Sequence, residues 1–540
     1  MILNGLPQSW DLVVVGGGIT GAGILRESTR MGLKVVLVEK NDFAWGSSSR
    51  SSKLVHGGLR YLKEGHFLLT KISVQERERL LQEAPGLVEP LGFYMPVYET
   101  QRPGKRTLQV GLSLYDLIAR ERHHKFYDAP ELLRRLPHLK PDGLVGGFYF
   151  MDAQVDDSRL VLRLIYESIA AGAQALNYTA AVEIHRDARG AVTGLTVMDT
   201  ETRERRTLTT PVVINATGCW AEELHPSPEP HRHLRPLRGS HLVFSSKAIP
   251  LQEGLSFLHP LDNRPVFAVP WEGAVLVGTT DLDHGQDLSA EPTITSNEIS
   301  YLLEGLRYIL PTQRASLADC LSVFAGIRPV VSEGKLPATA ESREHVVWAD
   351  KGLVTVTGGK LTTFRRLAVD ALKAAAAFLP SDKAVDEHAA VFEPPTESGK
   401  NDSGLDPKQW RRLQGRYGAM AEEIIRSAGP EDLCLIPGTM TLWAELPFVA
   451  GHEQVRHLTD LLLRRVRIGL LASQGGKACL KRIRKLCQPF LPWDRKRWKA
   501  ETHSYLIHWN RVHRAPWEPP RKGAGLINWL RRIRYRNHDQ

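Results

Sequence analysis

Residues 11–39, DLVVVGGGITGAGILRESTRMGLKVVLVE, restrict the chain to a narrow set of folds. Leu12 to Val15 are a short apolar run, as in a buried parallel strand. Gly16, Gly18 and Gly21 follow in G-x-G-x-x-G spacing. A helix-compatible stretch comes next, then a second apolar strand from Lys34 to Val38 that ends in Glu39. Each part has a physical task. Gly16 permits the tight turn out of the strand. Gly18 lets a pyrophosphate approach the backbone. Gly21 lets the helix pack close to the strand. The helix N-terminus offers unpaired N–H groups and a positive dipole end to the phosphates. Glu39 stands at the usual distance for the carboxylate that accepts from a ribose hydroxyl. Gly17, Ile19, Thr20 and Lys40 complete the segment assigned to the dinucleotide.

A chain of 540 residues is too long for one typical core, so two or three domains are expected. With 42% apolar and 24% charged residues it has the composition of a soluble globular protein. Its five cysteines are scattered, with no C-x-x-C pair and no Cys/His spacing that suits zinc. A reducing compartment and no metal site are expected. No secretory signal precedes the first strand, and no apolar run is long enough to span a membrane. The net charge of +10 favours anionic partners such as phosphorylated small molecules, nucleic acid or an anionic membrane face.

The pattern predicts an α/β fold, with a dinucleotide-binding part of segments 10–85, 155–220 and 320–380. Substrate or cap segments at 86–154 and 221–319 interleave with it and contribute a second, antiparallel sheet. Residues 159–173 read as an amphipathic helix, and the alternation after Ala180 reads as a hairpin turning near Arg189 and Gly190. The polar Pro/Gly-containing stretch 393–404 reads as a linker that ends a region 1–392. Beyond it, 405–510 reads as a helical C-terminal domain, with Leu458, Leu461, Leu462 and Val466 on one helix face, and 511–540 as a basic tail.

Later turns separate FAD from NAD. Ala216, Thr217 and Gly218 close a strand well downstream and can support a dinucleotide from the other side. Gly358-Gly359 precedes a helix expected to start near Leu361, whose dipole would stabilise negative charge on a reduced flavin. Ser51-Ser52-Lys53-Leu54-Val55-His56-Gly57-Gly58-Leu59-Arg60-Tyr61-Leu62 and Gly358-Gly359-Lys360-Leu361-Thr362-Thr363-Phe364-Arg365 resemble signatures of FAD-dependent glycerol-3-phosphate dehydrogenases. Arg238-Gly239-Ser240-His241, Gly326-Ile327-Arg328-Pro329 and Ser342-Arg343-Glu344-His345 resemble further ones. The likeness runs from about residue 10 to 470 in the family's order. Arg238 and Phe364 depart from it, where members often carry Lys and Tyr.

The resemblance implies an FAD-binding Rossmann-like domain, an interleaved antiparallel-sheet substrate domain and a C-terminal helical domain. It implies oxidation of sn-glycerol 3-phosphate to dihydroxyacetone phosphate, with electrons passed to a membrane quinone. Arg328, Arg60 and Lys360 are the candidates to hold the phosphate, since cationic multi-donor groups suit it. Tyr61 is expected as a hydrogen-bonding wall and Thr363 as a further substrate contact. His241 is the preferred base, because an unperturbed imidazole titrates near neutral pH; a nearby Arg or Lys stabilising the alkoxide is the alternative. Arg328 and Lys360 are expected close to the flavin. Ser47, Ser51 to Leu54, His56 to Gly58, Ala181, Val182, Gly326, Gly359, Leu361 and Thr362 are assigned to the cofactor.

The tail segment 523–540 places Leu526, Trp529, Leu530 and Ile533 at helical spacing among Arg531, Arg532, Arg534 and Arg536. Such a helix can lie on an anionic bilayer, the alternative being a solvated basic tail or one docked on its own protein; peripheral contact of the protein with the inner face of the cytoplasmic membrane is expected. A homodimer is expected. The rivals are an α-glycerophosphate oxidase using O₂, an amine or amino-acid oxidase, and a basic nucleic-acid-binding flavoprotein. No stacking platform or nucleic-acid motif accompanies the charge, so no nucleic-acid partner is expected.

Overall fold

The apolar runs of the sequence lie side by side in a computed structural model. It describes residues 3–59, 65, 67–119, 124–225, 233–313, 315–332, 344–379, 384–393 and 404–516. Leu12–Val15 lies between Val35–Val38 and Val213–Asn215, parallel to both. Gln174–Leu176 extends one side in parallel and Leu353–Gly358 the other. His345–Asp350 closes the far edge in antiparallel pairing. Among the described residues this sheet has six strands. Leu12–Val15 and Val35–Val38 are buried throughout, which is why they read as unbroken apolar runs without alternation.

Helices Ile19–Arg30, Asp157–Ala170 and Phe364–Ala375 share one apolar core with these strands. Gly21 sits so close to the strand-to-helix turn that an added Cβ would lie 1.8 Å from the Gly16 carbonyl oxygen. Gly23 faces Phe364, whose ring would be 2.8 Å from a Cβ there. The ring at 364 packs in this buried seam between helices.

The larger sheet has ten strands among the described residues. Val88–Tyr98 and Leu144–Val155 form one half. His233–Ser245, Ala274–Gly278, Pro265–Trp271 and Gly254–Leu258 form most of the other. Gly254–Leu258 runs parallel to Val88–Tyr98 and so joins the halves. Cys320–Ser332 opens a stretch expected in the nucleotide-binding part. It instead pairs along almost the whole of His233–Ser245, antiparallel, within the larger sheet. The predicted turn at Arg189 and Gly190 is present between Thr179–Arg186 and Val192–Asp199, in a separate three-stranded sheet.

The C-terminal region is helical and includes Pro407–Tyr417, Glu445–His452, Leu480–Cys487 and Arg495–Val512. Leu458, Leu461, Leu462 and Val466 are all buried, but they do not share one regular helix. Leu461–Arg465 forms a widened π turn, and Arg467 has left-handed backbone (φ 57°). The reason is electrostatic. In a regular helix neighbouring side chains diverge by about 100°. Here Arg464 and Arg465 both reach Asp42, at 2.5 and 2.6 Å, while Arg467 turns to Asp156 at 3.1 Å. Most of the linker and the tail from 517 onward lie outside the described residues. Among the described residues, no helix is long and apolar enough to cross a membrane.

Burial opposes ionisation of Asp42, but Arg465 and Arg464 outweigh it and hold the carboxyl well below the usual range. The pair's stability contribution is therefore complete above the unfolded value of about 3.9, and is lost as pH falls through the lower folded value. Asp42→Ala removes the buried carboxylate that two guanidinium groups share, leaving Arg464 with Asp460 and Arg465 with Glu453. It should destabilise the protein by about 3–5 kcal/mol at neutral pH, read as a fall in denaturant midpoint. Gly21→Ala should lower the melting temperature and the amount of copurified dinucleotide together, because its methyl overlaps backbone, which has no rotamer to yield.

Candidate active site

The loops leaving the strands of the six-stranded sheet open into a cavity of about 1340 Å³, whose far wall is the larger sheet. At the near end Gly16 (φ 111°) turns the chain within 2.6 Å of where its own Cβ would strike the Ala216 carbonyl. Gly18 precedes the helix Ile19–Arg30 with no side-chain cap of its own. The Ser48 hydroxyl accepts from the Ile19 N–H at 2.9 Å instead. Glu39 lines the cavity, and its two oxygens accept from the N–H groups of Gly17 (2.7 Å) and Asn41 (2.8 Å). A carboxylate has about four lone-pair sites, so acceptor capacity remains for ribose hydroxyls. Thr20, Lys40, Thr217 and Gly218 line the same end, as do Ala181 and Val182 from the three-stranded sheet. Trp45 and Trp220 lie beside each other there, 6.1 Å between ring centroids.

The serine loop 47–52 runs along the cavity under tight control from behind. The Ser47 hydroxyl donates to the Ile327 carbonyl. Ser51 donates its N–H and its hydroxyl to Asp157 Oδ2, at 2.9 and 2.7 Å. Lys53, assigned from sequence to the cofactor, is fully buried and turned away. Its Nζ donates to Asp157 Oδ2 and to the Ser49 carbonyl, both at 2.7 Å. Burial pushes this ammonium down to about 8 despite Asp157, and Arg467 adds to the fall. Leu54, His56 and Gly58 line the cavity. Gly57 does not: its N–H donates to Asp152, and the Tyr115 hydroxyl fills the space of a Cβ.

Arg328 and Arg264 are cations of the far end, both paired with Asp281. Arg328 Nη1 donates to Asp281 Oδ1 at 3.0 Å and Nη2 to Thr279 Oγ1 at 2.9 Å, and about a third of the side chain is exposed (32%). Gly239 makes room for it, since a Cβ there would lie 2.4 Å from the guanidinium. Lys360 Nζ donates to Ser73 Oγ at 2.6 Å. Gly326, Gly359, Lys360, Leu361 and Thr362 line the wall. The helix expected near Leu361 begins as a 3₁₀ turn, Leu361–Thr363, and becomes α-helical at Phe364. Thr363 is buried off the cavity and donates to the Lys360 carbonyl at 3.4 Å. Arg238 turns instead to Glu298, 2.9 Å away, which also caps the helix Ser296–Ile309.

His241 lies behind this wall. Its Nε2 is 2.9 Å from the Ser52 hydroxyl, which does line the cavity, and its ring stacks on Phe324 at 4.7 Å. An unperturbed imidazole titrates near neutral pH. Burial, with Arg328 and Lys53 nearby, pushes the imidazole well below that range, so it is neutral at physiological pH. Arg60 and Tyr61 lie outside the described residues. Ser48 falls in the serine run 47–52 read from sequence as a flavin contact, and Gly239 in a quoted motif with no role given it. Sequence reasoning passed over Trp45, Ser73, Thr279 and Asp281, which carry no local signal.

The near end fits a dinucleotide: two glycines where a Cβ would strike backbone, helical N–H groups without a local cap, and a carboxylate at the strand end. Comparison with known proteins agrees. Residues 11–365 match the model of the FAD dependent oxidoreductase family, and 365–498 match the C-terminal domain of alpha-glycerophosphate oxidase. An aerobic glycerol-3-phosphate dehydrogenase of Staphylococcus haemolyticus is 32% identical over 487 residues, covering 85% of this chain and 86% of that protein. The corresponding protein of Staphylococcus aureus is 32% identical over 489 residues, with the same coverage. The glycerol-3-phosphate dehydrogenase of Bacillus halodurans, solved complexed with FAD, superposes with a TM-score of 0.75 at 26% identity, over 95% of this chain and 97% of that one. The L-alpha-glycerophosphate oxidase of Mycoplasma pneumoniae, with FAD bound, shares the fold at a TM-score of 0.58 and 20% identity, over 72% of this chain and 99% of that one. Motifs, architecture and relatives converge: the chain is an FAD-dependent oxidoreductase and belongs to the aerobic glycerol-3-phosphate dehydrogenase family.

Proposed function

We propose that the chain oxidises sn-glycerol 3-phosphate to dihydroxyacetone phosphate, at the end of the cavity bounded by Arg328 and Lys360. Bound FAD supplies the hydride acceptor. The observation that carries this reading is Arg328: a guanidinium oriented by Asp281 and Thr279, given room by Gly239 and exposed to the cavity. A clamped guanidinium binds a phosphate or a developing alkoxide without first reorganising. Lys360 adds a second positive charge, and Thr363 fixes its turn from behind. By resemblance, Arg60 and Tyr61 complete the substrate wall.

For the hydroxyl proton, the Ser52 hydroxyl is the group at the cavity surface, with neutral His241 behind it as acceptor. A neutral ring with Arg328 and Lys53 nearby resists holding a proton. The imidazole therefore holds the proton only in passing and returns it through the Ser52 hydroxyl to water in the cavity.

For the electron acceptor, a membrane quinone is favoured over O₂ by the cavity mouth. Phe67 and Val110 line the cavity and are more than half exposed, and Leu68 and Leu117 on the same two helices are 70% and 74% exposed. An apolar face opening from a redox cavity suits a lipid surface and a hydrophobic acceptor. Helices Leu480–Cys487 and Arg495–Val512 expose Lys481, Lys485, Arg495, Lys496 and Lys499, which suit anionic headgroups.

Anaerobic sn-glycerol 3-phosphate should bleach the oxidised flavin; a flavin that stays oxidised refutes the substrate. Arg328→Ala should lower kcat/KM by about a hundredfold, the scale of a lost charge-assisted contact. A variant retaining full activity removes Arg328 from the site. The pH profile of kcat/KM should lack an imidazole limb near the free histidine value of about 6.5, since folding lowers the His241 value. A limb there that disappears in His241→Asn would contradict the neutral acceptor. Leu68→Glu with Leu117→Glu should weaken co-sedimentation with anionic vesicles and turnover with lipid-dissolved quinone, while a water-soluble acceptor is reduced as before.

A further inference from the structure

The end of the helix Arg495–Val512 and the turn after it lie beyond residue 498, where the match to the C-terminal family model stops. Two imidazoles from this region converge on Glu291, which comes from far earlier in the chain. His508 Nε2 lies 3.2 Å from one Glu291 oxygen, and His513 Nε2 lies 3.9 Å from the other. The three candidate ligand atoms fall within 4.8 Å of one another.

His513 is 4% exposed, and its Nδ1–H donates to the Val323 carbonyl at 3.0 Å. That bond fixes the tautomer and leaves the Nε2 lone pair facing the cluster. Nε2 makes no hydrogen bond among the described residues. A buried polar atom in that state calls for a missing partner. An imidazole oriented through its other nitrogen by a backbone carbonyl is the arrangement that metal-ligating histidines use.

Arg50 is the main opposing charge. Its Nη2 is 2.5 Å from Glu291 Oε1. It therefore takes the oxygen on the His513 side and leaves Oε2, on the His508 side, as the ligand. Two nitrogen donors disfavour Mg²⁺ and Ca²⁺, which take oxygen, and suit a borderline ion. Zn²⁺ bonds of about 2.0–2.1 Å require tetrahedral ligand atoms roughly 3.3 Å apart; the three candidate atoms already lie within 4.8 Å of one another, so side-chain shifts of at most about 1.5 Å close the site.

We propose that Glu291, His508 and His513 form a Zn²⁺ site, completed by water, that clips the C-terminal helix to the flavin-side serine loop. The link to that loop is Arg50, which holds Glu291 and donates to the carbonyls of Trp45 and Gly46, two residues of the cavity wall.

Untagged FAD-loaded protein, stripped with chelator and titrated with Co²⁺, should take up one ion per chain. Ligand-field bands should appear to the red of the flavin absorption and vanish when Zn²⁺ displaces the Co²⁺. Zn²⁺ should also raise the melting temperature. His508→Ala, at a partly exposed helix position, should keep its flavin and lose both responses. His513→Gln serves as the second variant should the first fail to fold. Wild-type protein that neither binds Co²⁺ nor gains stability with Zn²⁺ overturns the site, and so does either variant if it binds as the wild type does.

Discussion

A buried seam of opposite charges joins the C-terminal helices to the nucleotide-binding part, and the geometry of the cavity depends on it. Asp42, Asp156 and Asp157 sit on the inner side, and Arg416, Arg464, Arg465 and Arg467 reach them from the helical region. Lone buried charges are strongly unfavourable, whereas a fully hydrogen-bonded set is tolerated and fixes one arrangement. The seam does not stop at the interface. Asp157 holds Ser51 and Lys53, and Arg467 donates to the Ser49 carbonyl at 3.2 Å. The loop lining the cavity is thus positioned by Asp157, 106 residues from Ser51, and by Arg467, 418 residues from Ser49. The helical domain is part of the active-site scaffold.

The two sheets divide the labour. The parallel sheet supplies strand-end turns, a helix N-terminus and Glu39, an arrangement of backbone groups and one carboxylate that fits a dinucleotide. The larger sheet supplies the cationic wall. Long antiparallel pairing between His233–Ser245 and Cys320–Ser332 puts Gly239 against Gly326 and next to Arg328. Side chains on one sheet face can then point at the cavity while their strands remain rigid, which keeps Arg328 in one orientation.

Much of this was legible in the chain. The strand, glycine turn, helix and acid of residues 12–39 predicted the parallel unit, because each step is local and needs only neighbouring residues. The downstream turns at 216–218 and 358–359 also stood out, since positive-φ glycines mark sharp returns. Other features were illegible for a physical reason. Lys53 looked like a cofactor contact but is claimed by Asp157. His241 looked like a neutral-pH base, but burial and nearby cations change its protonation. Asp281 and Thr279 carried no motif, yet they aim Arg328. The regular helix read around Leu458 to Val466 gave way to a π turn, because the arginines had carboxylates to reach on another part of the chain.

What the sequence determined alone was the local grammar: a dinucleotide fold, its glycine turns, an apolar helical C-terminus and a store of basic residues. These follow from periodicity and backbone freedom, which act over a few residues. The tertiary structure decided which charged groups face the cavity and which are spent on holding it. That choice depends on desolvation and on partners hundreds of residues apart, and neither is written in any one stretch of the chain.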